Sequence, residues 1–281
     1  MRTNRYLVWK MVKSTLTHIF LMSVALTCLF PIFWMLRCAF MTNETVFVDQ
    51  SLIPHQLNFG NFAKAWTEGN FAIYFLNSVV YTVCVVGGIV LISSLAAFSF
   101  SRLKFPGKDI IFYMFVAAMM IPLPGSFVAL FVMMNKLHLI NTRFGYILCM
   151  INVGLSMSIL LLKTFFDKMP HELEDAARID GCSKIGIWWN VALPLARPAI
   201  AVIVIFNSLS VWNEYILATL LLGDSHLMPL QRGLMVFWGG NSTNYPVLMA
   251  GLTIAAVPIV MVYLFMQKHI VKGLSSGAVV G

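Results

Sequence analysis

The sequence predicts an all-α polytopic membrane protein with about six transmembrane helices and one polar loop between the fourth and fifth. Of its 281 residues 59% are hydrophobic and 11% are charged, and its mean hydropathy is +0.84. This composition is too apolar for a soluble globular domain. Several apolar runs also reach the roughly 20 residues that an α-helix needs to cross the hydrocarbon core of a bilayer. We therefore expect a single membrane domain over residues 1–281.

The predicted spans are separated by polar or basic segments. In chain order they cover residues 17–36, 71–100, 110–134, 144–162, 198–222 and 245–266. The third span contains Pro122 and Pro124, and prolines inside a span tend to kink or break the helix. The polar loop between the fourth and fifth spans covers residues 163–197.

The distribution of basic residues predicts the orientation in the membrane. With six spans and a cytoplasmic N-terminus, 14 of the 19 Lys and Arg residues fall on the cytoplasmic side. Cytoplasmic segments carry such an excess. We therefore expect both termini and the polar loop to be cytoplasmic. The same pattern explains the net charge of +8 without a nucleic-acid partner, since the basic residues lie between apolar runs and form no continuous stripe.

Several kinds of chemistry have no signature in this chain. The five cysteines are scattered without a C-x-x-C pair, and no H-E-x-x-H pair occurs, so neither a disulfide framework nor a metal site is indicated. The phosphate-binding pattern G-x-x-x-x-G-K-[ST] is also absent. We expect no catalytic residue, no metal and no cofactor.

The polar loop contains an acidic helix-forming segment. Residues 169–198 hold four of the eleven acidic residues, and three of these fall in the first turns of a predicted helix, where carboxylates complement the helix dipole. Leu173, Ala176 and Ala177 would share one apolar face, because their spacing is i, i+3 and i+4. Gly181 would end this helix in a left-handed cap, and Ser183 would begin a second one. The pattern alone is equally typical of an amphipathic helix lying on the membrane surface.

The segment E-L-E-D-A-A-R-I-D-G-C-S (172–183), followed by V-A-L-P-L-A-R-P (191–198), resembles the "EAA" loop of permease subunits of binding-protein-dependent ABC importers. With the preceding F-F-D-K-M-P-H, it is similar to the carbohydrate branch, which includes the maltose and glycerol-phosphate importers. Weaker matches follow in the family's order, among them A-A-F-S-F-S-R-L-K-F-P-G-K (96–108) and V-W-N-E-Y (211–215).

The resemblance implies a coupling helix that docks on a cytoplasmic ATPase subunit. The residues it assigns to that interface are Glu174, Asp175, Ala176, Ala177, Asp180 and Gly181. Asp175 stands where the family usually has glutamate. The resemblance further implies ATP hydrolysis on a separate subunit, and as partners a second homologous permease, two ATPase subunits and an extracytoplasmic solute-binding protein. It implies a bacterial cytoplasmic membrane location and a carbohydrate or related polar solute.

Asn213 and Glu214 are the candidates for a solute pathway. Glu214 is the one acidic residue clearly inside a predicted span, and carboxylates at that depth usually face a cavity or a partner. The alternative role is a hydrogen bond between helices, for example with Asn77 or Asn207. Glu214 and the Pro122/Pro124 break also leave open an ion-gradient-driven secondary transporter. A third possibility is a membrane protein that only recruits a cytoplasmic partner.

Overall fold

Long apolar helices dominate the computed structural model, which describes residues 2–67, 70–121, 123–237 and 243–278, with side chains for 9–67, 70–121, 125–235 and 243–265. Pro122 lies outside the described residues, as does the side chain of Pro124. The described chain contains no strand, so the predicted all-α class is confirmed.

The helices follow one another with short connections. The α-helices are α1 (Arg2–Ala39), α2 (Gly60–Thr67), α3 (Phe71–Arg102), α4 (Lys108–Ala118), α5 (Leu123–Lys136), α6 (Arg143–Asp167), α7 (Glu172–Ile179), α8 (Lys184–Ile187), α9 (Leu193–Leu195), α10 (Arg197–Trp212), α11 (Ile216–Leu221), α12 (Leu230–Gly233) and α13 (Tyr245–Ala278). A π-helix occupies Trp188–Ala192, and 3-10 turns occupy Ser225–Leu227 and Leu234–Phe237.

Four of the described helices are long and apolar enough to cross a membrane. They lie within α1, α3, α6 and α13 and correspond to the first, second, fourth and sixth predicted spans. The segments Lys184–Leu195 and Arg197–Trp212 meet at 77° and would make a fifth span if taken together. The number six therefore stays a prediction.

Two of the predicted spans are not single helices. The third, 110–134, is divided between α4 and α5, with a turn at residues 119–121. In the fifth, 198–222, helix α10 ends at Trp212 and α11 begins at Ile216. Glu214, which we expected inside a helix, lies in this break. Its carboxylate accepts hydrogen bonds from backbone amides at the start of α11, and that local bonding starts a new helix there.

The chain divides into two packed units, residues 70–235 with 257–281 and residues 1–69 with 236–256. In the first unit, α3 and α6 pack along their lengths. Their rings meet in two places: the Tyr81 and Tyr146 centroids are 4.7 Å apart, and those of Phe98 and Phe166 are 6.0 Å apart and edge-to-face. Residues of α10 and α11 complete this core.

The second unit has a small core where α2 packs near the end of α1. The buried residues are Ala39, Ala65, Val247 and Ala250. Buried Arg37 ties down the segment that follows α1, because its Nε donates to the Ser51 carbonyl at 2.5 Å and its Nη2 to the Asp49 carbonyl at 2.6 Å. Hydrogen bonding from Ser51 lowers the pKa of Asp49.

Gly154 allows a close approach of three helices in the larger unit. A Cβ atom at Gly154 would lie 2.1 Å from Oδ1 of Asn207 on α10 and 2.5 Å from Cδ1 of Ile89 on α3. The Asn207 amide donates to Ser158 Oγ at 3.2 Å beside it. Small residues and hydrogen-bonding side chains of this kind are typical of helix contacts in membranes.

Replacing Gly154 with valine should force these helices apart. Overpacking of this kind costs about 1–3 kcal/mol, so the apparent melting temperature of the purified chain in mild detergent should fall. Gly87→Val is the matched control, because a Cβ at Gly87 of α3 meets no atom within 4 Å. Equal melting temperatures for the two variants would contradict the packing described for Gly154.

Candidate functional site

Helix α7 is formed by local signals in the polar loop. Glu172, Glu174 and Asp175 lie in its first turn, near the positive end of the helix dipole. The helix ends in the predicted left-handed glycine cap: Gly181 has φ +81°, and the Cys182 amide donates to the Ala177 carbonyl at 2.9 Å. A Cβ on Gly181 would meet no atom within 4 Å, so the requirement for glycine comes from the backbone conformation.

A second turn carries the chain from α7 toward α10. Ser183 caps α8 as predicted, because its Oγ accepts from the Gly186 amide at 3.1 Å. The π-helix and α9 follow directly, and the chain then bends by 77° into α10. Trp188 in the π-helix is buried in the core of the unit.

The predicted interface residues do not all face the same way. Glu174 and Ala177 are buried, whereas Asp175, Ala176, Asp180 and Gly181 are exposed. Leu173 and Ile179, one turn to either side of Ala176, are 41% and 86% exposed. The outer face of α7 is therefore an apolar strip flanked by carboxylates, and it differs from the expected face by the loss of Ala177 to the core.

Arg102, the last residue of α3, holds the inner face of α7. Its Nε lies 2.8 Å from Glu174 Oε1, and both side chains are at least 96% buried. Its Nη2 donates to the carbonyls of Phe166 and Met169, and its Nη1 lies 3.0 Å from the ring nitrogens of His171. Arg102 was not singled out from the sequence, because 72 residues separate it from Glu174. The feature of the sequence that could have identified Arg102 is its position as an arginine at the end of a span.

Glu214 is held by three donors at the break between α10 and α11. Its Oε1 accepts from the Leu217 amide at 2.6 Å, and its Oε2 accepts from the Ala218 amide at 2.9 Å and from the Tyr146 hydroxyl at 3.1 Å. The hydrogen bond between helices considered for Glu214 is therefore formed, with Tyr146 of α6 as the partner. Asn213 is exposed, and its Oδ1 accepts from Gln231 at 3.4 Å.

Side chains in the N-terminal part of α3 bind the loop that follows α11. The Asn77 amide donates to the carbonyls of His226 and Met228 at 2.8 and 3.1 Å, and the Tyr81 hydroxyl donates to that of Leu227 at 2.7 Å. Ser78 Oγ accepts from the Leu230 amide at 2.8 Å. Sequence reasoning did not find this set, since polar residues 146–152 positions apart carry no shared pattern.

Long apolar helices with a short amphipathic helix between them are typical of a multi-pass membrane protein with a polar segment between its spans. The chain belongs to the family of binding-protein-dependent transport system inner membrane components, whose model matches residues 88–276. It is thus the permease subunit of an ABC importer, a multi-pass protein of the inner membrane, and the family implies binding-protein and ATPase partners. Family membership supports this function over a secondary transporter, and the permease itself is not catalytic.

Individual proteins match over almost the whole chain. It is 33% identical to the probable ABC transporter permease YurM of Bacillus subtilis, over 95% of this chain and 89% of that protein. It is 30% identical to the diacetylchitobiose uptake system permease NgcG of Streptomyces coelicolor, over 94% and 88%. The crystal structure of a bacterial ABC transporter involved in the import of the acidic polysaccharide alginate contains a chain with TM-score 0.80 and 25% identity, covering 96% and 98%.

Removal of the Glu214 carboxylate should loosen the start of α11. Hydrogen bonds to charged groups contribute about 1.5–3 kcal/mol each, and a factor of ten corresponds to about 1.4 kcal/mol. In Glu214→Ala the amides of Leu217 and Ala218 should therefore exchange hydrogen at least about tenfold faster. Tyr146→Phe is the control, because it leaves both amide contacts in place and should change their exchange much less.

Proposed function

We propose that this permease carries a carbohydrate or a closely related polar solute. The proposal is supported by the names of its relatives, since NgcG belongs to a diacetylchitobiose uptake system and the alginate transporter imports an acidic polysaccharide. The residues before α7 also resemble the carbohydrate branch. The solute would be delivered by an extracytoplasmic binding protein.

We propose that α7 is the coupling helix and that its outer face docks on an ATPase subunit. The observation that carries this proposal is the exposed apolar strip of Leu173, Ala176 and Ile179 beside Asp175. Leu173, Ala176 and Ile179 form one apolar strip bordered by carboxylates, and exposed apolar patches with a polar rim mark sites of contact with a protein or a membrane. This role requires α7 to be cytoplasmic, which is the side that the positive-inside count predicts for the polar loop and for both termini.

The proposed assembly contains this chain, a second homologous permease, two ATPase subunits and the binding protein. ATP hydrolysis then takes place on the ATPase subunits, and this chain contributes a conformational change. ATP binding can shift the membrane subunits between inward-facing and outward-facing states only through a difference in affinity for the two states. Helix α7, called the docking helix below, is the element through which a change in the ATPase subunits would move the spans.

We propose that Asn213 lies along the solute pathway. Glu214 lies next to the pathway and stabilises the helix break beside it. Asn213 is exposed, its Nδ2 donates to the Leu209 carbonyl at 2.8 Å and its Oδ1 accepts from Gln231 at 3.4 Å. The Glu214 carboxylate is already bound by three donors. Glu214 would therefore act by keeping the helix break open beside the path rather than by binding solute directly.

The function is tested by uptake of radiolabelled oligosaccharides into cells that carry or lack this chain. We expect uptake of at least one of them to require the chain, to stop on ATP depletion and to continue when ionophores collapse the ion gradients. Uptake that is lost with the ion gradient but unaffected by ATP depletion would contradict an ABC importer. Unchanged uptake without the chain would favour a protein that only recruits a partner.

Replacing Gly181 with valine should uncouple ATP hydrolysis from transport. An L-residue in the left-handed conformation costs about 1–2 kcal/mol, and without the cap α7 would present its outer face at a different angle. We expect uptake and the ATPase stimulation by the binding protein to fall together in the reconstituted assembly.

Gly107→Val is the matched control for Gly181→Val. Gly107 has φ +76°, and a Cβ there also meets no atom within 4 Å, but it lies in the turn between α3 and α4. It carries the same backbone strain outside the docking helix. Normal uptake and normal stimulation in Gly181→Val would refute the role given to the cap.

A further inference from the structure

The buried carboxylate of Glu174 is a feature that docking on an ATPase does not explain. Glu174 lies on the docking helix, yet only 4% of its side chain is exposed and it points to the end of α3. Arg178 lies 3.8 Å from its Oε2 but is itself 58% exposed. The close partner of Glu174 is thus Arg102, and a subunit that covers the outer face of α7 would not reach this carboxylate.

Arg102 binds several polar groups that meet at the same place. Phe166 lies in the last turn of α6 and Met169 lies beyond it. The Phe166 carbonyl also accepts from the Met169 amide at 3.1 Å, so the guanidinium of Arg102 is a second donor to it. A planar guanidinium offers five donors in fixed directions, so one side chain can serve both carbonyls, the imidazole of His171 and the Glu174 carboxylate. The Nε–Oε1 contact is ionic rather than a well-directed hydrogen bond.

We propose that Arg102 is the positioning residue that fixes the docking helix to the ends of α3 and α6, with Glu174 as its internal partner and not as an ATPase contact. This inference rests on the proposed coupling role of α7. It divides the six predicted interface residues by task, since Glu174 and Ala177 hold the helix from inside while Asp175, Ala176, Asp180 and Gly181 remain on the outside.

Helix α3 connects the Arg102 contact with α7 to the loop that follows α11. Its 32 residues span about 48 Å at the α-helical rise of about 1.5 Å per residue. Arg102 binds the docking helix at one end, while Asn77, Ser78 and Tyr81 bind the loop after α11 near the other. If α7 moves, α3 would therefore move with it as a rigid helix and would displace the loop that follows α11.

The test uses the assembled importer with Glu174→Gln, which keeps the shape of the side chain and removes its charge. We expect amides 172–179 to exchange hydrogen about tenfold faster before ATP is added, and the amount of solute moved per ATP hydrolysed to fall severalfold. Glu174→Asp, which keeps the charge, should restore part of that ratio. Ser101→Ala is the matched control, because Ser101 also joins α3 to α6, through an exposed hydrogen bond to Asp167 at 2.7 Å.

The inference would be overturned if Glu174→Gln showed wild-type hydrogen exchange and moved a wild-type amount of solute per ATP. It would also be overturned if Ser101→Ala lowered the amount of solute per ATP equally. If Glu174→Gln does not assemble, Arg102→Lys takes its place, since lysine keeps the charge but cannot reach all four groups. A normal ratio in an assembled Arg102→Lys importer would likewise overturn it. ATP-driven uptake by the wild-type assembly is measured alongside, so a failure of the proposed function is recognised separately.

Discussion

The packing of α3 against α6 is the contact on which the larger unit depends. The two helices bury their facing sides along their lengths, and two aromatic pairs, Tyr81 with Tyr146 and Phe98 with Phe166, lie between them. Because they remain in contact to their ends, Arg102 at the end of α3 meets the last carbonyls of α6 and the start of α7. The position of α7 in the polar loop is set by that contact together with the burial of Met169, Ala177 and Trp188 in the core.

Breaks in the helices are stabilised by polar side chains from neighbouring elements. A backbone that leaves the helix within an apolar environment must find other partners for its amides and carbonyls. Glu214 supplies acceptors for two amides of α11, and Asn141 supplies one oxygen for the amides of Gly223 and Asp224 at 3.1 and 2.8 Å. Asn77 and Tyr81 do the same for three carbonyls of the following loop. Several polar residues of this permease therefore have a structural explanation before a transport role is considered.

The exchange of glutamate for aspartate in the family motif has a local interpretation. Asp175 is 64% exposed and lies 3.1 Å from Arg178 on the same helix, an exposed pair of the kind that contributes little to stability. It is therefore free to contact a partner, although its side chain is one methylene shorter than the usual glutamate. Glu174, one position earlier, points inward and contacts Arg102 instead.

The sequence by itself determined the all-α class, the positions of the four long apolar helices and the caps at Gly181 and Ser183. Each of these depends on length, composition or neighbours within a few residues, which a linear pattern records. Only the tertiary structure decided that Glu174 and Ala177 face inward, that Tyr146 meets Glu214 and that Arg102 contacts α7. These contacts join residues 68 positions apart, for Glu214 with Tyr146, and 72 positions apart, for Glu174 with Arg102. They arise because packing of α3, α6 and α10 brings distant helix ends together, and no local periodicity encodes that proximity.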